Sequence, residues 1–496
     1  MSASADDVCF LRWEVNATRQ QLRLYAIYQG KLCALYLLSD HSQSEQQELK
    51  SFCKPTYDSI YRHYVHKDSC EEPEEGRRAR VVDRWEDLSL NWKPDPNHDA
   101  SNTLLDLIRC QLPTLVGKQP LPGGKYIFTI VDDTQNPGQA SIILRSDIYR
   151  QLLFDSLAPL RPETRHGITL VDLSQVQIHT TVHYLLHVLE VHVSRREDGT
   201  TERLIFKTAK TEDHEDLQHD EQARQRAKVT QKEFLQELED WIKYSGHTNI
   251  MDPPASLVTI QDGKGSQKLV GWLMKPHLDW TYRLRQLRKN GRHAATVAEL
   301  LAYVIDYARG MKYMAEAGYV HPDAKAANCF WMESVESHER LVIGDFGRPL
   351  SGPGAYCNMT GPDCPEVQGH WEVSVDDHGK LVYQRNSPPR ANKMFTILTK
   401  LADFPEAILR LQVFTFACVG ADLLRYRSPD PNLWPTGCYK PDLSAETKRW
   451  EELIPQELKV LLHRCWSFDP RDRPLFEEIE RELVAIHESL KPPSPS

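Results

Sequence analysis

Apolar and polar residues alternate with a period of two over residues 9–39, where Leu22, Leu24, Ala26 and Tyr28 run to a Gln29-Gly30 turn and Leu32 to Leu38 returns. That period predicts a β-hairpin. Residues 66–102 break the pattern. They are rich in charge, Pro, Asp and Asn, with almost nothing but charge from Glu71 to Arg80, and read as a loop or linker. Helical spacing follows over Thr103 to Gln111 and again over Ser146 to Ala158, with strand-like runs at Lys125 to Val131 and Ser141 to Leu144. Residues 1–160 therefore read as an α+β region with neither a repeat nor a recognisable motif.

From about Gly167 the texture changes. Val176 to Val182 and Tyr184 to Ser194 are rich in β-branched and aromatic residues; Arg196-Glu197-Asp198-Gly199 signals a turn, and Arg203 to Ala209 follows as a third strand. Residues 211–232 are a charged run suited to a solvated helix or loop. Phe234, Leu235, Leu238 and Trp241-Ile242 then fall at helical spacing, closed by Gly246. Leu257 to Ile260 and Lys268 to Met274 read as two more strands around Gly263-Lys264-Gly265. Five strands and one helix make a first lobe. Beyond it the period is helical: Val297, Leu300, Leu301, Val304, Ala308, Met311 and Met314 share a face, and Gly318 offers a C-terminal cap. Residues 348–396 are rich in Gly and Pro around a hairpin signal from Trp371 to Tyr383. Phe395 to Tyr426, Pro455 to Trp466 and Leu475 to Leu490 read as helices, and residues 491–496 as a disordered tail.

Composition narrows the class. At 496 residues the chain is too long for one ordinary core, and 40% apolar with 26% charged residues describes a globular protein. No apolar run reaches the roughly 18 residues of a membrane span, and the start lacks the parts of a signal peptide. The 11 cysteines are scattered, without a C-x-x-C pair, which points to reduced thiols and a cytoplasmic setting; the sequons at Asn16 and Asn358 then read as chance. A net charge of −10 argues against nucleic acid as a partner.

The chemistry concentrates between Tyr319 and Gly347. Asp323 is followed five residues later by Asn328, and seventeen residues after that by Asp345 in Asp-Phe-Gly. Apolar runs at Cys329 to Met332 and Leu341 to Ile343 predict two short strands that bring these oxygen-bearing side chains to one edge. One carboxylate near a nucleophile, with a carboxylate and an amide for Mg²⁺, is what phosphoryl transfer needs. Here the residues resemble a known family. His321-Pro322-Asp323-Ala324-Lys325-Ala326-Ala327-Asn328 resembles the catalytic loop of protein kinases, and Asp345-Phe346-Gly347 their D-F-G. Cys465-Trp466-Ser467-Phe468-Asp469-Pro470-Arg471-Asp472-Arg473-Pro474 resembles the C-W-x(6)-R-P of the tyrosine-kinase and tyrosine-kinase-like group.

The resemblance implies an α+β, bilobal protein-kinase-like fold over residues 165–490, with a five-stranded N-lobe carrying one helix and a helical C-lobe. It also implies ATP and Mg²⁺ as cofactors and a protein substrate or signalling partner. Leu204-Ile205-Phe206-Lys207-Thr208 resembles the family's lysine strand, so Lys207 would meet the α- and β-phosphates; Phe234-Leu235-Gln236-Glu237 resembles the helix whose glutamate, here Glu237, pairs with that lysine. Asp323 would be the catalytic base, Lys325 would touch the γ-phosphate, Asn328 and Asp345 would hold Mg²⁺, and His321 reads as a packed core histidine. In the family the arginine of the last signature, here Arg473, pairs with a glutamate, for which Glu366 and Glu406 are both candidates.

Three departures qualify the resemblance. Residues 177–184, where a glycine-rich phosphate loop would lie, contain no glycine, and β-branched residues there hinder close approach of backbone to phosphate. Pro322 replaces the arginine of the phosphate clamp, so activity should not need activation-loop phosphorylation. Gln412 stands where an aspartate normally braces the catalytic loop. Two functions lead on this basis, a competent kinase or a pseudokinase acting as scaffold or allosteric partner; a small-molecule phosphotransferase of related fold is disfavoured by the C-W…R-P signature, which belongs to protein-directed members. Lys325 leans toward Ser/Thr specificity and the Ala326-Ala327-Asn328 run toward Tyr.

Overall fold

The N-terminal alternation folds into an antiparallel meander of β1 (Cys9–Asn16), β2 (Gln21–Tyr28) and β3 (Lys31–Leu38). The structure, a computed structural model, describes residues 8–16, 21–38, 56, 58–60, 86–87, 98–116, 125–132, 140–144, 157–160, 167–182, 185–194, 200–209, 221–261, 266–279, 297–319, 321, 324–332, 340–347, 371–378, 380–386, 405–424 and 452–490. Two compact units emerge, one of Met1–Lys232 with Pro254–Pro276, the other of Glu233–Pro253 with His277–Ser496. No helix among the described residues is long and apolar enough to cross a membrane.

In the first unit the meander grows into a six-stranded sheet. β4 (Glu86–Asp87) pairs with β1; after the helix α1 (Asp99–Val116), β5 (Lys125–Asp132) lies parallel to β3, and β6 (Ala140–Leu144) closes the other edge. Strands β2 and β3 are apolar on both faces because both faces are buried. Leu22, Leu24, Cys33 and Leu35 pack beneath Leu104, Leu105, Ile108 and Leu112 of α1. Gln111 ties that helix to β6, its amide donating to the Ala140 carbonyl (3.2 Å) and accepting the Ile142 N–H (2.8 Å). The opposite face, carrying Tyr25, Ile27, Leu32, Ala34 and Tyr36, packs on a second sheet.

That second sheet contains the five strands read from the sequence: β9 (Val176–Val182), β10 (Leu185–Ser194), β11 (Thr201–Thr208), β12 (Ser256–Gln261) and β13 (Gln267–Met274). Two more were not expected. β7 (Ala158–Pro159) pairs with β13, and β8 (Thr169–Asp172) lies parallel to β12. At two and four residues they are too short to show a period, and Ala158, expected at the end of a helix, begins a strand instead. The sheet order is β8-β12-β13-β11-β10-β9, so β9 is an edge strand. Leu189, Val191, Leu204, Phe206 and Leu273 face the N-terminal sheet in one shared core. The charged run proves partly helical: α2 spans Glu221–Tyr244, taking in the predicted helix and the residues before it.

The second unit is largely helical. Its small sheet is β14 (Leu278–Asp279), β15 (Cys329–Met332) and β16 (Arg340–Ile343). The helix α3 (Val297–Glu316) buries the face read from its spacing, and Gly318 (φ 73) ends it, with Tyr319 N–H returning to the Met314 carbonyl at 2.9 Å. The hairpin β17 (Trp371–Val375) and β18 (Leu381–Arg385) forms where the sequence signals it. It is anchored on the Cys465–Pro474 signature: the Trp371 indole N–H donates to the Phe468 carbonyl (2.9 Å), and Arg471 lies over the Trp371 ring at 5.4 Å. Among the described residues three more helices follow: α4 (Pro405–Leu423), α5 (Gln456–Cys465) and α6 (Phe476–Ser489). Every residue of α4 from Leu411 to Ala421 is buried, the mark of a helix inside a core rather than on it.

Candidate functional site

The site grows from β16 and the residues just after it. A loop after α2 grips this strand: Ile343 N–H donates to the Asn249 carbonyl (2.9 Å), Met251 N–H to the Ile343 carbonyl (2.9 Å), and the Asn249 amide to the Leu341 carbonyl (3.1 Å). From α3, Asp306 accepts the Leu341 N–H at 3.1 Å. Burial raises the Asp306 pKa, with hydrogen bonds from Leu341 and Asn249 opposing it. Sequence reasoning missed Asn249 and Asp306. The one available signal was a polar pair, His247 and Asn249, in a turn beside buried Ile250 and Met251.

His247 holds that loop through an unprotonated nitrogen, its Nδ1 accepting the Asn249 N–H at 3.1 Å while its ring stacks on Tyr313. Burial, then Arg309, lowers its pKa, with Glu480 pulling the other way. A depressed histidine contributes stability that is full above its unfolded pKa of about 6.5 and is lost as pH falls through the lower folded value. Thermal melts between pH 7.5 and 5.5 should therefore fall more steeply for the wild type than for His247→Asn; parallel curves would refute the assignment.

The next residues are pinned in turn. Gly344 N–H donates to the Asn328 carbonyl (3.0 Å), and the Gly344 carbonyl accepts from His321 Nε2 (3.2 Å). His321 is buried, and Phe346 is buried between its ring (5.4 Å) and that of Tyr319 (5.8 Å). Held on both sides, Asp345 takes a left-handed backbone (φ 59), a conformation costly for a non-glycine residue and concentrated at functional sites. Asn328 is 5% exposed at the end of a 3-10 turn, Ala326–Asn328, whose N-terminal flank is Lys325; Asn328 N–H donates to the Lys325 carbonyl (2.9 Å). Glu237, 7% exposed on α2, sits against Gly347: a β-carbon built there would lie 2.7 Å from its Oε2. Glu237, Asn328 and Asp345 thus meet around one peptide segment, 344–347, within one unit. Pro322 and Asp323 lie outside the described residues.

In the other unit Lys207 is half-buried on β11, opposite Val188 on one side and Trp272 on the other. Its ammonium lies 5.9 Å from the centre of the fully buried Trp272 ring, a cation–π distance. Residues 177–182 of the expected phosphate-covering segment form β9, whereas His183 and Tyr184 lie outside the described residues.

Comparison with known proteins adds a family match and several distant relatives. A family model described as "Protein tyrosine and serine/threonine kinase" matches residues 203–353, the stretch from Lys207 through Asp345. The chain carries a domain of the protein kinase superfamily. Relatives include the tyrosine-protein kinase receptor TYRO3 of Danio rerio, 22% identical over 39% of this chain and 19% of the relative. Tyrosine-protein kinase Mer of Mus musculus is 21% identical over 60% and 26%, and guanylyl cyclase C of Rattus norvegicus 29% identical over 36% and 14%. The chain thus spans no more than about a quarter of these relatives' lengths.

Two buried side chains, Gln412 and Arg473, lie outside the matched residues. Gln412, 1% exposed in α4, donates from its amide to the Tyr319 carbonyl, while its Oε1 has no hydrogen-bond partner among the described residues. Arg473, 1% exposed, donates to the carbonyls of Ser467 and Arg410 (both 3.0 Å) and lies over the Phe414 ring. Of its two candidate glutamates, Glu406 has a 59% exposed side chain 3.7 Å from Arg410, and Glu366 lies outside the described residues.

Proposed function

We propose that the chain is an ATP-dependent protein kinase that transfers the γ-phosphate to a protein hydroxyl. The observation that carries this reading is the meeting of Glu237, Asn328 and the left-handed Asp345 around residues 344–347. An amide oxygen and a carboxylate are hard donors that fit Mg²⁺, which takes its remaining ligands from phosphates and water. When bound, Mg²⁺ neutralises charge on the transferring phosphoryl group. Asn328 and Asp345 would hold it, Lys207 would meet the α- and β-phosphates, Lys325 the γ-phosphate, and Asp323 would orient the substrate hydroxyl and accept its proton. The domain organisation adopted is an N-terminal α+β region (1–160) before a kinase-like domain (165–490), in the cytoplasm.

A second reading, a pseudokinase serving as scaffold or allosteric partner, is favoured by Gln412, which offers a neutral amide where a charged brace is usual, and by the glycine-free stretch 177–184. Thermal shift decides between them. Millimolar Mg·ATP should raise the wild-type melting temperature by about 2 °C or more, through selective binding to the folded state. Asp345→Ala should lose most of that gain. No Mg²⁺-dependent shift in the wild type would defeat the enzyme reading.

A further inference from the structure

The absence of glycine from residues 177–184 raises the question of what fixes the main chain there. β9 is the edge of its sheet, and an edge strand presents backbone groups without a strand partner. The turn between β2 and β3 covers one of them: the Gly30 carbonyl accepts the Ile178 N–H at 2.9 Å. Gln29 and Gly30 both have left-handed φ values, 48° and 68°, as the tightest hairpin turns require. The approach is close. A β-carbon on Gly30 would lie 3.3 Å from the β-carbon of Gln177. Behind the turn, Tyr25, Ile27 and Leu32 share a core with Leu189 and Val191 of β10, so the contact stands on a buried interface rather than on a loose loop.

We propose that the N-terminal sheet is a positioning element for the nucleotide site: its Gln29–Gly30 turn clamps β9 and so fixes the backbone of residues 176–182, the part of the expected phosphate-covering segment that β9 forms. A braced strand then does what a glycine-rich segment achieves by close backbone approach. The functional half of this rests on the kinase reading; the mechanical half does not.

Hydrogen exchange on the full chain, read by mass spectrometry, separates the two. In Gly30→Val, peptides covering 176–182 should exchange about tenfold faster, while those covering α6 stay unchanged. Mg·ATP should bind about fivefold more weakly, measured below the onset of melting. Gly30→Asn, which accepts a left-handed backbone but keeps a β-carbon, should restore both in part. Gly30→Ala takes the place of the valine variant should that one not fold. Unchanged exchange over 176–182 in a folded variant overturns the clamp. Faster exchange with unchanged Mg·ATP affinity overturns its role in positioning. A wild type that binds no Mg·ATP overturns that role together with the kinase reading, while the exchange result still decides the clamp.

Discussion

Asp323→Asn is expected to lower phosphate transfer by about 10²–10⁴-fold, the usual worth of a positioned general base, and to leave Mg·ATP affinity within about twofold. The asymmetry follows from the roles proposed above. Nucleotide affinity would come from Lys207, Asn328 and Asp345, whereas the base would act only on the attacking hydroxyl. Autophosphorylation followed with radiolabelled ATP, beside calorimetric titration of the same samples, measures both halves. Equal loss of binding and turnover would move Asp323 into nucleotide binding, and undiminished turnover would remove it from the chemistry.

Gly271→Ala should be the most damaging glycine-to-alanine change among the described residues of the first unit. A methyl there would lie 2.2 Å from the Lys207 carbonyl oxygen, 2.7 Å from Phe206 Cε2 and 3.0 Å from Thr208 Cα. Two of those atoms are backbone of β11 and cannot rotate away, so β11 and β13 must part beside Lys207. Overpacking of this kind costs about 3 kcal/mol at the upper end of its usual range. That corresponds to roughly 6–12 °C in melting temperature for a unit of this size. Circular dichroism melts test it directly, and a variant melting within about 1 °C of wild type would mean the sheet yields there at little cost.

The local periods carried much of the fold. Strands β9 to β13 and helices α3, α5 and α6 lie close to where residue type and apolar spacing put them; β11 and the helices bury one face and show another, whereas β13 is buried on both faces from Leu269 to Leu273. Legibility failed where that contrast was missing. The first half of α2 is charged on all sides and reads equally as helix or loop. α1 runs on to Val116 through Pro113, beyond its readable end at Gln111. β7 and β8 owe their existence to partners far along the chain, which no local window contains. In the site, Asn328 and Asp345 stood out because their spacing is tied to chemistry. Asn249, Asp306 and Trp272 did not, since each acts by what it touches in three dimensions: Leu341 for the first two, Lys207 for the third.

The two-faced burial of the N-terminal sheet has a consequence for synthesis. The side of β2 and β3 bearing Tyr25, Ile27, Leu32 and Ala34 emerges from the ribosome well before part of its covering, Val258, Val270 and Leu273. At about 5–20 residues per second, some 240 intervening residues take roughly 12–50 s to make. For that interval a β-surface rich in aromatic and branched side chains stands open to solvent and to neighbouring nascent chains. Yield of soluble protein should therefore depend on translation speed and on chaperones that shield extended apolar strands, more than on the stability of the finished molecule.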